Sequence, residues 1–158
     1  MLVLTFPKGR GMTIRRLHEG DEDAAIRVIE DLKFPMDEVV GASVDPMYMR
    51  GFLADDRHYF IVAFVEDEPA GYVFGYRLSR FDGRPPQVFL YEIGVVEHHR
   101  RKGIGRALVQ ELKDMAKADG CRKMFVPTNR SNEAAVALYR SAGGEEGTAD
   151  ATGFWWNW

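Results

Sequence analysis

A strand, a helix and a second strand follow one another between residues 87 and 126. Residues 87–96 are rich in β-branched and aromatic side chains, which is typical of a strand, and Cys121–Val126 has the same character. Between them, apolar residues recur at helical spacing at Ile104, Ala107, Leu108, Leu112 and Met115. Such a unit predicts a right-handed crossover between two parallel strands, so the chain must build a sheet with a parallel pair.

The rest of the chain supplies strands and helices around this unit. Strands are predicted at Thr13–Leu17, His58–Val65 and Ala70–Leu78, and a final aromatic strand at 152–158. Helices are predicted at Glu22–Leu32 with Asp21 as cap, from Asp45-Pro46 to about Ala54, at Gly103–Ala118 and at Asn132–Ala142, with a loop over 33–44. The order β-α-α-β-β-β-α-β-α-β predicts an α/β (α+β) fold, in which helices flank a mixed, mostly antiparallel twisted sheet.

Composition limits the classes of protein to which the chain can belong. Its 158 residues, 46% of them hydrophobic, fit one domain over residues 12–158, with 1–11 as a flexible N-terminal extension. The net charge of -3 argues against nucleic-acid binding. The single cysteine, Cys121, cannot form an intrachain disulfide and favours a cytoplasmic protein. No apolar run approaches the roughly 18 residues that span a membrane, and no signal peptide is expected.

A basic, glycine-rich turn joins the predicted strand 87–96 to the helix that follows it. The residues are Arg100, Arg101, Lys102, Gly103, Ile104, Gly105 and Arg106. A helix start offers unpaired N–H groups and the positive end of the helix dipole, and glycine lets the backbone approach an anion closely. The turn therefore predicts a pyrophosphate site. The alternative is a solvated basic helix start that uses glycine for packing.

Two other phosphate motifs do not fit this turn. A P-loop needs Gly-Lys followed by Ser or Thr after four spacer residues, and none is present. A dinucleotide fingerprint needs a third small residue where Leu108 stands, and it normally follows the first strand of its unit rather than the fourth.

Two motifs together resemble the GNAT superfamily of N-acetyltransferases. The first is Arg100-x-x-Gly103-x-Gly105, which resembles the acetyl-coenzyme A signature of that family. The second is Asn132-x-x-Ala135-x-x-Leu138-Tyr139-x-x-x-Gly143. The resemblance covers residues 12–158 and implies acetyl-CoA as co-substrate, with no metal.

The resemblance also implies a role for individual residues. In such enzymes the strand before the turn carries a bulge and separates from the next parallel strand, and pantetheine pairs with its backbone, here at Val95 and Val96. Backbone N–H groups from Arg101 to Arg106 would hold the pyrophosphate. Asn132, with Ala135 in the same motif, would contact the pantetheine arm. Tyr139 would lie near the sulfur and protonate the departing thiolate; its alternative is a packing role.

The transfer itself needs a group that takes a proton from the attacking amine. Glu92 lies on the strand beside the expected cofactor gap, and an inward carboxylate is costly unless it is used or paired. We expect Glu92 to be the general base. The alternatives are a solvated or salt-bridged Glu92 and another acid as the base. His98 and His99 are adjacent on a turn and do not suggest a metal site.

The acceptor is the least determined part of the interpretation. Residues 88–95, 99–101 and 134–139 resemble the aminoglycoside 3-N-acetyltransferase branch, which implies a role in antibiotic resistance. Those enzymes typically carry Asp where Glu92 stands, and the extra methylene would shift the carboxylate by about one bond length. Acids available for a cationic acceptor are Asp37, Glu38, Asp45, Asp55, Asp56, Asp82, Glu145, Glu146 and Asp150.

Three hypotheses for function remain open at this point. The first is acetylation of an aminoglycoside, and the second is acetylation of another amine in a polyamine, an amino acid or a protein. The third is a non-catalytic module that binds acyl-CoA. Many relatives pair, so the resemblance also admits a homodimer. Trp155, Trp156 and Trp158 are expected to pack against the sheet or in a dimer contact.

Overall fold

The structure, a computed structural model, describes residues 2–5, 11–32 and 44–147. The strands are β1 (Leu2–Thr5), β2 (Gly11–Arg16), β3 (His58–Val65), β4 (Glu68–Leu78), β5 (Gln87–Val95) and β6 (Lys123–Phe125). The helices are α1 (Glu22–Leu32), α2 (Pro46–Leu53), α3 (Ile104–Ala118) and α4 (Glu133–Ser141), with a 3-10 turn at Glu97–His99. The predicted fold class, a mixed sheet flanked by helices, is confirmed.

The strands form one sheet in the order β1-β2-β3-β4-β5-β6. Neighbouring strands are antiparallel from β1 to β5. The last pair, β5 and β6, is parallel and runs from Gln87 opposite Lys123 to Phe89 opposite Phe125. The parallel pair predicted from the strand–helix–strand unit is therefore confirmed.

The two faces of the sheet bury different cores. On one face, α3 inserts Leu108, Val109 and Leu112 against β-strand residues such as Val88 and Leu90. On the other face, α1 and α2 pack onto an aromatic-rich surface; its cluster is Leu17, Ala25, Val28, Met49, Leu53, Phe60, Val62, Phe64, Tyr72 and Phe74. We call these the α3 face and the α1–α2 face.

One of the two predicted helix N-caps forms as expected. Asp45 accepts a hydrogen bond from the Met47 N–H at 3.0 Å, and Pro46 opens α2 as predicted. Asp21 behaves differently, because its carboxylate is directed at Arg15, at 2.8 and 2.9 Å, and at the His18 N–H, at 3.0 Å. Asp21 still precedes α1, but its side chain ties the helix start to β2 rather than to the helix itself.

Three sequence-based boundaries differ from the structure. Leu2–Thr5 form β1 and pair with β2, although no strand was predicted within residues 1–11; a four-residue apolar run is too short for periodicity to identify. β2 accordingly begins at Gly11, two positions before the predicted start. β6 covers only Lys123–Phe125 of the predicted Cys121–Val126. The domain start at residue 12 stays a prediction.

Two predicted segments lie outside the described residues: nearly all of the loop 33–44 and the whole of the aromatic strand 152–158. In the parts of the chain that the structure describes, no helix is long and apolar enough to cross a membrane.

Candidate active site

β5 and β6 part halfway along β5. Their pairing ends at Phe89 and Phe125, whereas β5 continues to Val95 along β4. Beyond Phe89, the β6 side of β5 has no strand partner among the described residues. A strand left unpaired on one side offers its backbone N–H and C=O groups to a ligand. Val95, a predicted pantetheine contact, lies at the end of this stretch. Val96, the other predicted contact, is already engaged: its N–H donates to the Ala70 carbonyl at 2.9 Å, and its carbonyl accepts from the His99 N–H at 2.8 Å.

A β-bulge lies in β5 at the same place. Phe74 pairs with Glu92 but Gly75 pairs with Leu90, so Tyr91 is an extra residue in β5. The insertion changes which side chains share a face. Leu90 and Ile93 pack with the α3 core, while Tyr91 lies against Phe74 on the α1–α2 face, with ring centroids 6.0 Å apart. Glu92 and Tyr91 therefore point to the same face although they are consecutive.

The turn between β5 and α3 has the backbone of an anion site. Arg101 and Gly103 both adopt the left-handed region, with φ of 59° and 84°. Gly103 is the N-cap of α3, and no side chain caps the helix there. The first N–H groups of a helix have no partner within the helix, so those of Ile104, Gly105 and Arg106 are left to bind an anion.

Four cations surround this helix start. The Arg100 Nε donates to the Val95 carbonyl at 3.0 Å and the Lys102 Nζ donates to the His98 carbonyl at 2.8 Å. Within residues 11–32 and 44–147, no carboxylate forms an ion pair with Arg100, Arg101, Lys102 or Arg106. No described carboxylate therefore offsets the positive charge of these four side chains. A bound diphosphate requires such uncompensated positive charge.

Gly105 joins the turn to the two other elements of the predicted cofactor site. A Cβ on Gly105 would lie 3.4 Å from both Leu138 methyl carbons of α4 and 3.7 Å from the Val95 Cγ2 of β5. These are ordinary contact distances. The first turn of α3 thus packs directly between the end of β5 and α4, which brings Val95, Gly105 and the second motif together. Ile104, between the two glycines, is buried in the α3 core.

Asn132 and Tyr139 lie on α4, which carries the second motif. The Asn132 Oδ1 accepts from the Ala135 N–H at 3.1 Å and so caps α4. This bond occupies the amide oxygen and leaves the amide nitrogen as the group that would reach pantetheine. Tyr139 is half-buried against the α3 core, and burial raises its pKa. Its phenol therefore stays protonated at neutral pH, as a proton donor must.

Glu92 is held by a residue that the sequence did not identify. The Tyr72 hydroxyl is hydrogen-bonded to the Glu92 carboxylate, and burial, followed by the Glu92 charge and this hydrogen bond, raises the pKa of Tyr72 far above its usual value. Tyr72 is 2% exposed and stacks on Phe60 with ring centroids 5.2 Å apart. A buried, stacked tyrosine has little freedom, so it fixes the direction of the partly exposed carboxylate.

Glu92 and Tyr139 lie on opposite faces of the sheet. Glu92 faces α1 and α2 with Tyr72, whereas Tyr139 packs with the α3 core. The sheet edge formed where β5 leaves β6 connects the two faces. A thioester held in this gap would be reached by an amine from the Glu92 side and by a proton donor from the Tyr139 side.

The sequence signal that could have identified Tyr72 is the alternation of aromatic residues along β4. Tyr72, Phe74 and Tyr76 alternate along one strand and so share a face. That pattern predicts an aromatic surface but not its partner, because the partner depends on the register of β4 against β5. The family resemblance implied a bulge in this strand but not its position, and the position at Tyr91 decides that Glu92 meets this surface.

Arginines pair with three acids of the predicted acidic rim. Asp55 pairs with Arg57 at 2.6 Å, and Asp82 with Arg80 at 2.8 Å. The arginine hydrogen bonds hold the pKa of both carboxyls well below the usual range. The other rim acids differ: Glu146 pairs with Arg140, Asp45 caps α2, Asp56 and Glu145 are exposed, and Asp37, Glu38 and Asp150 lie outside the described residues.

The two histidines after β5 lie side by side, with ring centroids 4.1 Å apart. Among the described residues, no group of three or more His, Cys, Asp or Glu side chains is placed to hold a metal ion.

Comparison with known proteins identifies the family. The Acetyltransferase (GNAT) family profile matches residues 24–143, most of the chain. The chain therefore belongs to the GNAT acetyltransferase family, whose members transfer acetyl groups to amines.

Among solved structures, the fold is similar to the aminoglycoside acetyltransferase meta-AAC0020 from an uncultured soil metagenomic sample. The TM-score is 0.83 with 23% identity, over 93% of this chain and 96% of that one. A second soil metagenomic aminoglycoside acetyltransferase, HMB0005, is 25% identical with a TM-score of 0.78, over 89% of this chain and 96% of that one.

Curated relatives match shorter segments at higher identity. The [Ribosomal protein bS18]-alanine N-acetyltransferase of Escherichia coli K12 is 39% identical over 59 residues, which is 37% of this chain and 40% of that protein. The N-alpha-acetyltransferase RimI of Mycobacterium tuberculosis is 38% identical over 84 residues, 51% of this chain and 50% of that protein. The chain thus spans half or less of the length of these relatives.

Proposed function

We propose that the chain is an acetyl-CoA-dependent N-acetyltransferase that acetylates a primary amine of a small cationic acceptor, in the first place an aminoglycoside. The observation that carries the proposal is the placement of Glu92. Its carboxylate lies at the bulge where β5 leaves β6, on the strand that leads through one turn into a basic helix start with no side-chain cap. A non-catalytic acyl-CoA module would need the helix start but not an oriented carboxylate beside it.

The α3 start would bind the diphosphate of acetyl-CoA. The N–H groups of Ile104, Gly105 and Arg106 and the surrounding cations fit a diphosphate in charge and direction. Val95 offers its backbone to the amide-bearing pantetheine arm, and Asn132 offers its amide nitrogen, whereas the backbone of Val96 is already engaged by Ala70 and His99. The co-substrate supplies the activated acetyl thioester, and the chain supplies position and proton transfer.

Glu92 and Tyr139 would move the two protons of the transfer. The acceptor amine attacks the thioester carbon, so that a C–N bond forms and the C–S bond breaks. Glu92 takes the proton that the nitrogen must lose, directly or through water, and Tyr139 gives its proton to the departing thiolate. General base catalysis typically contributes about 10²–10⁴-fold to such a rate.

The choice of an aminoglycoside rests on the solved relatives and on the sequence resemblance. Two aminoglycoside acetyltransferases share the fold over nearly their whole length, and HMB0005 also reaches 25% identity. The sequence resemblance at residues 88–95 and 134–139 points to the same branch.

A second candidate acceptor is the α-amine of a protein. The specific observation in its favour is sequence identity. The segments shared with N-alpha-acetyltransferases are 38–39% identical to this chain, which is well above the sequence identity of the solved aminoglycoside enzymes. Those segments cover 37–51% of this chain and 40–50% of the relatives, so they support a shared family more than a shared acceptor.

An acceptor screen separates these candidates. Acetyl-CoA would be incubated with the chain and with kanamycin, gentamicin, spermidine or a peptide with a free N-terminal alanine, and thiol release measured. We expect release with an aminoglycoside. Release with the peptide alone would replace the first candidate by the second. Tight CoA binding without release for any amine would indicate an acyl-CoA-binding module.

A further inference from the structure

Three tyrosines from three elements meet beside Glu92 on the α1–α2 face. Tyr48 comes from α2, Tyr76 from β4 and Tyr91 from the bulge in β5. Tyr76 and Tyr91 meet edge to face, with ring centroids 5.6 Å apart, and both contact Phe74, which lies opposite Glu92 in the sheet. We call Tyr48, Tyr76 and Tyr91 the tyrosine wall.

Tyr48 is connected to the other two tyrosines through Phe52, on which it stacks with ring centroids 6.3 Å apart and which lies 5.1 Å from Phe74. Burial raises the pKa of Tyr76, and after burial the next causes are the neighbouring phenols of Tyr91 and Tyr48. The outer two members are also accessible, since Tyr48 is 68% and Tyr91 57% exposed. Large aromatic side chains exposed together on one face require an explanation, because folding alone would bury them.

The bulge is what adds Tyr91 to the wall. In a regular strand, Tyr91 and Glu92 would point to opposite faces. The extra residue turns both to the α1–α2 face, so an aromatic ring stands directly next to the carboxylate. The wall and the proposed base are thus parts of one surface.

We propose that the tyrosine wall binds an alkylammonium group of the acceptor through the faces of its rings, while a neighbouring amine of the same acceptor faces Glu92. The inference rests on the proposed acetyltransferase function and specifies its acceptor as a molecule with at least two amino groups. One is the nucleophile, and the other remains a cation and anchors the molecule.

The charges on this face favour rings over carboxylates as the anchor. Asp55, which follows α2, is hydrogen-bonded to Arg57, so its charge is already compensated. Glu92 has to take a proton from the nucleophile and so cannot also hold a permanent cation. Aromatic faces attract ammonium groups through their quadrupole without adding a competing base.

The test measures binding of choline without any turnover. Choline carries a trimethylammonium group, and 3,3-dimethylbutan-1-ol has the same shape without the charge. Each would be titrated by NMR into the chain saturated with CoA. Because cation–π contacts are worth about 0.5–2 kcal/mol, we expect choline to bind about three- to thirtyfold more tightly than the alcohol. The NMR signal of the choline methyl protons should shift upfield on binding, because these protons would lie over the aromatic rings.

Variants locate the site. Tyr91→Leu should weaken choline binding about fivefold, whereas Tyr91→Phe, which keeps the ring face, should retain it. Phe81→Leu is the matched control, since Phe81 is a fully exposed aromatic that makes no ring contact among the described residues. Equal affinity for choline and the alcohol, or equal loss in Tyr91→Leu and Phe81→Leu, would overturn the inference.

The result is independent of the acceptor screen. If choline binds at Tyr91 but no amine is acetylated, the wall is a cation site and the proposed activity is wrong. If an amine is acetylated but choline does not bind, the activity stands and the wall does not anchor the acceptor.

Discussion

The cofactor side and the acceptor side of the candidate site are built in opposite ways. On the cofactor side, residues 95–106 form one uninterrupted stretch from the end of β5 into α3, joined by a single further helix, α4. On the acceptor side, Glu92, Tyr72 and the tyrosine wall come from α2, β4 and β5, and sequence separations of tens of residues lie between them.

This difference explains why one side can be recognised in a sequence. Binding a diphosphate depends on local backbone geometry, which a few glycines and the start of a helix specify. Binding an acceptor depends on strand register and on one bulge, which no short motif encodes. Variants that affect one side and spare the other test whether the two sides are separate in function as well as in construction.

The largest expected effect is on the acceptor side, in Glu92→Gln. The amide is close in size but cannot take a proton, so kcat at neutral pH should fall by about 10²–10⁴-fold while the KM for acetyl-CoA changes little. Steady-state kinetics with the best acceptor of the screen measures both. Glu97→Gln is the matched control, because Glu97 is an exposed acid in the same stretch. Unchanged activity of Glu92→Gln across pH would exclude Glu92 as the base.

The next effect belongs to the cofactor side, in Gly103→Ala. Gly103 has φ of 84° at the N-cap of α3, where a side chain adds strain of about 1–2 kcal/mol and displaces the first N–H groups. We expect the Kd for CoA, measured by calorimetry, to rise about tenfold.

Gly83→Ala is the control for that strain. Gly83 also has positive φ, 71°, and open space around a Cβ, but it lies in the loop between β4 and β5. Both variants should lose similar thermal stability, and only Gly103→Ala should lose CoA affinity. Equal CoA affinity in the two would mean that the α3 start does not hold the diphosphate.

The sequence was sufficient for the elements that depend on local chemistry. The helix α1, the Asp45-Pro46 start of α2 and the strand β3 lie where they were predicted, because periodicity and caps act over a few residues. The parallel pair β5–β6 followed from the strand–helix–strand order.

What the sequence could not provide depends on contacts between distant segments. β1 is defined by its pairing with β2, not by its own four residues. The pairing of three rim acids with Arg57, Arg80 and Arg140 offsets part of the negative charge that a count of acids suggested. Glu92 was identified as a candidate from its position, but its partner Tyr72 is set by the register of β4 on β5.

A moderate effect on the acceptor side alone is expected for Tyr72→Phe. The ionised Glu92 carboxylate would lose a hydrogen-bond donor, so it would bind a proton more readily and the acidic limb of kcat/KM should move to higher pH. A hydrogen bond worth about 0.5–1.5 kcal/mol corresponds to a shift of about half a pH unit to one unit. A pH profile measures the limb.

Tyr59→Phe is the matched control for this variant. The Tyr59 hydroxyl donates to the Asp119 carboxylate at 2.6 Å, but Tyr59 packs in the α3 core away from Glu92. It should lower stability without moving the acidic limb. A limb that moves equally in both variants would show that Tyr72 acts only through the packing of the fold.

The smallest expected effect concerns how the two sides respond to acid. On the acceptor side, α1 is tied to β2 by Arg15 and Asp21, and the Arg15 hydrogen bonds hold the pKa of Asp21 below its usual 3.8. Because the folded pKa is the lower one, this pair stabilises the fold fully above about pH 4, and the contribution is lost as the pH falls through the folded pKa.

Asp21→Asn should therefore lower the free energy of unfolding by about 1 kcal/mol at pH 7, a value reduced by the partial exposure of Arg15. The difference from the unmodified chain should shrink as the pH is lowered below about 4, as urea unfolding at pH 7 and pH 3 would measure. Asp23→Asn, an exposed acid in the first turn of α1, should change stability less at either pH. A loss in Asp21→Asn that is equal at both pH values would mean that the ion pair does not anchor the acceptor side.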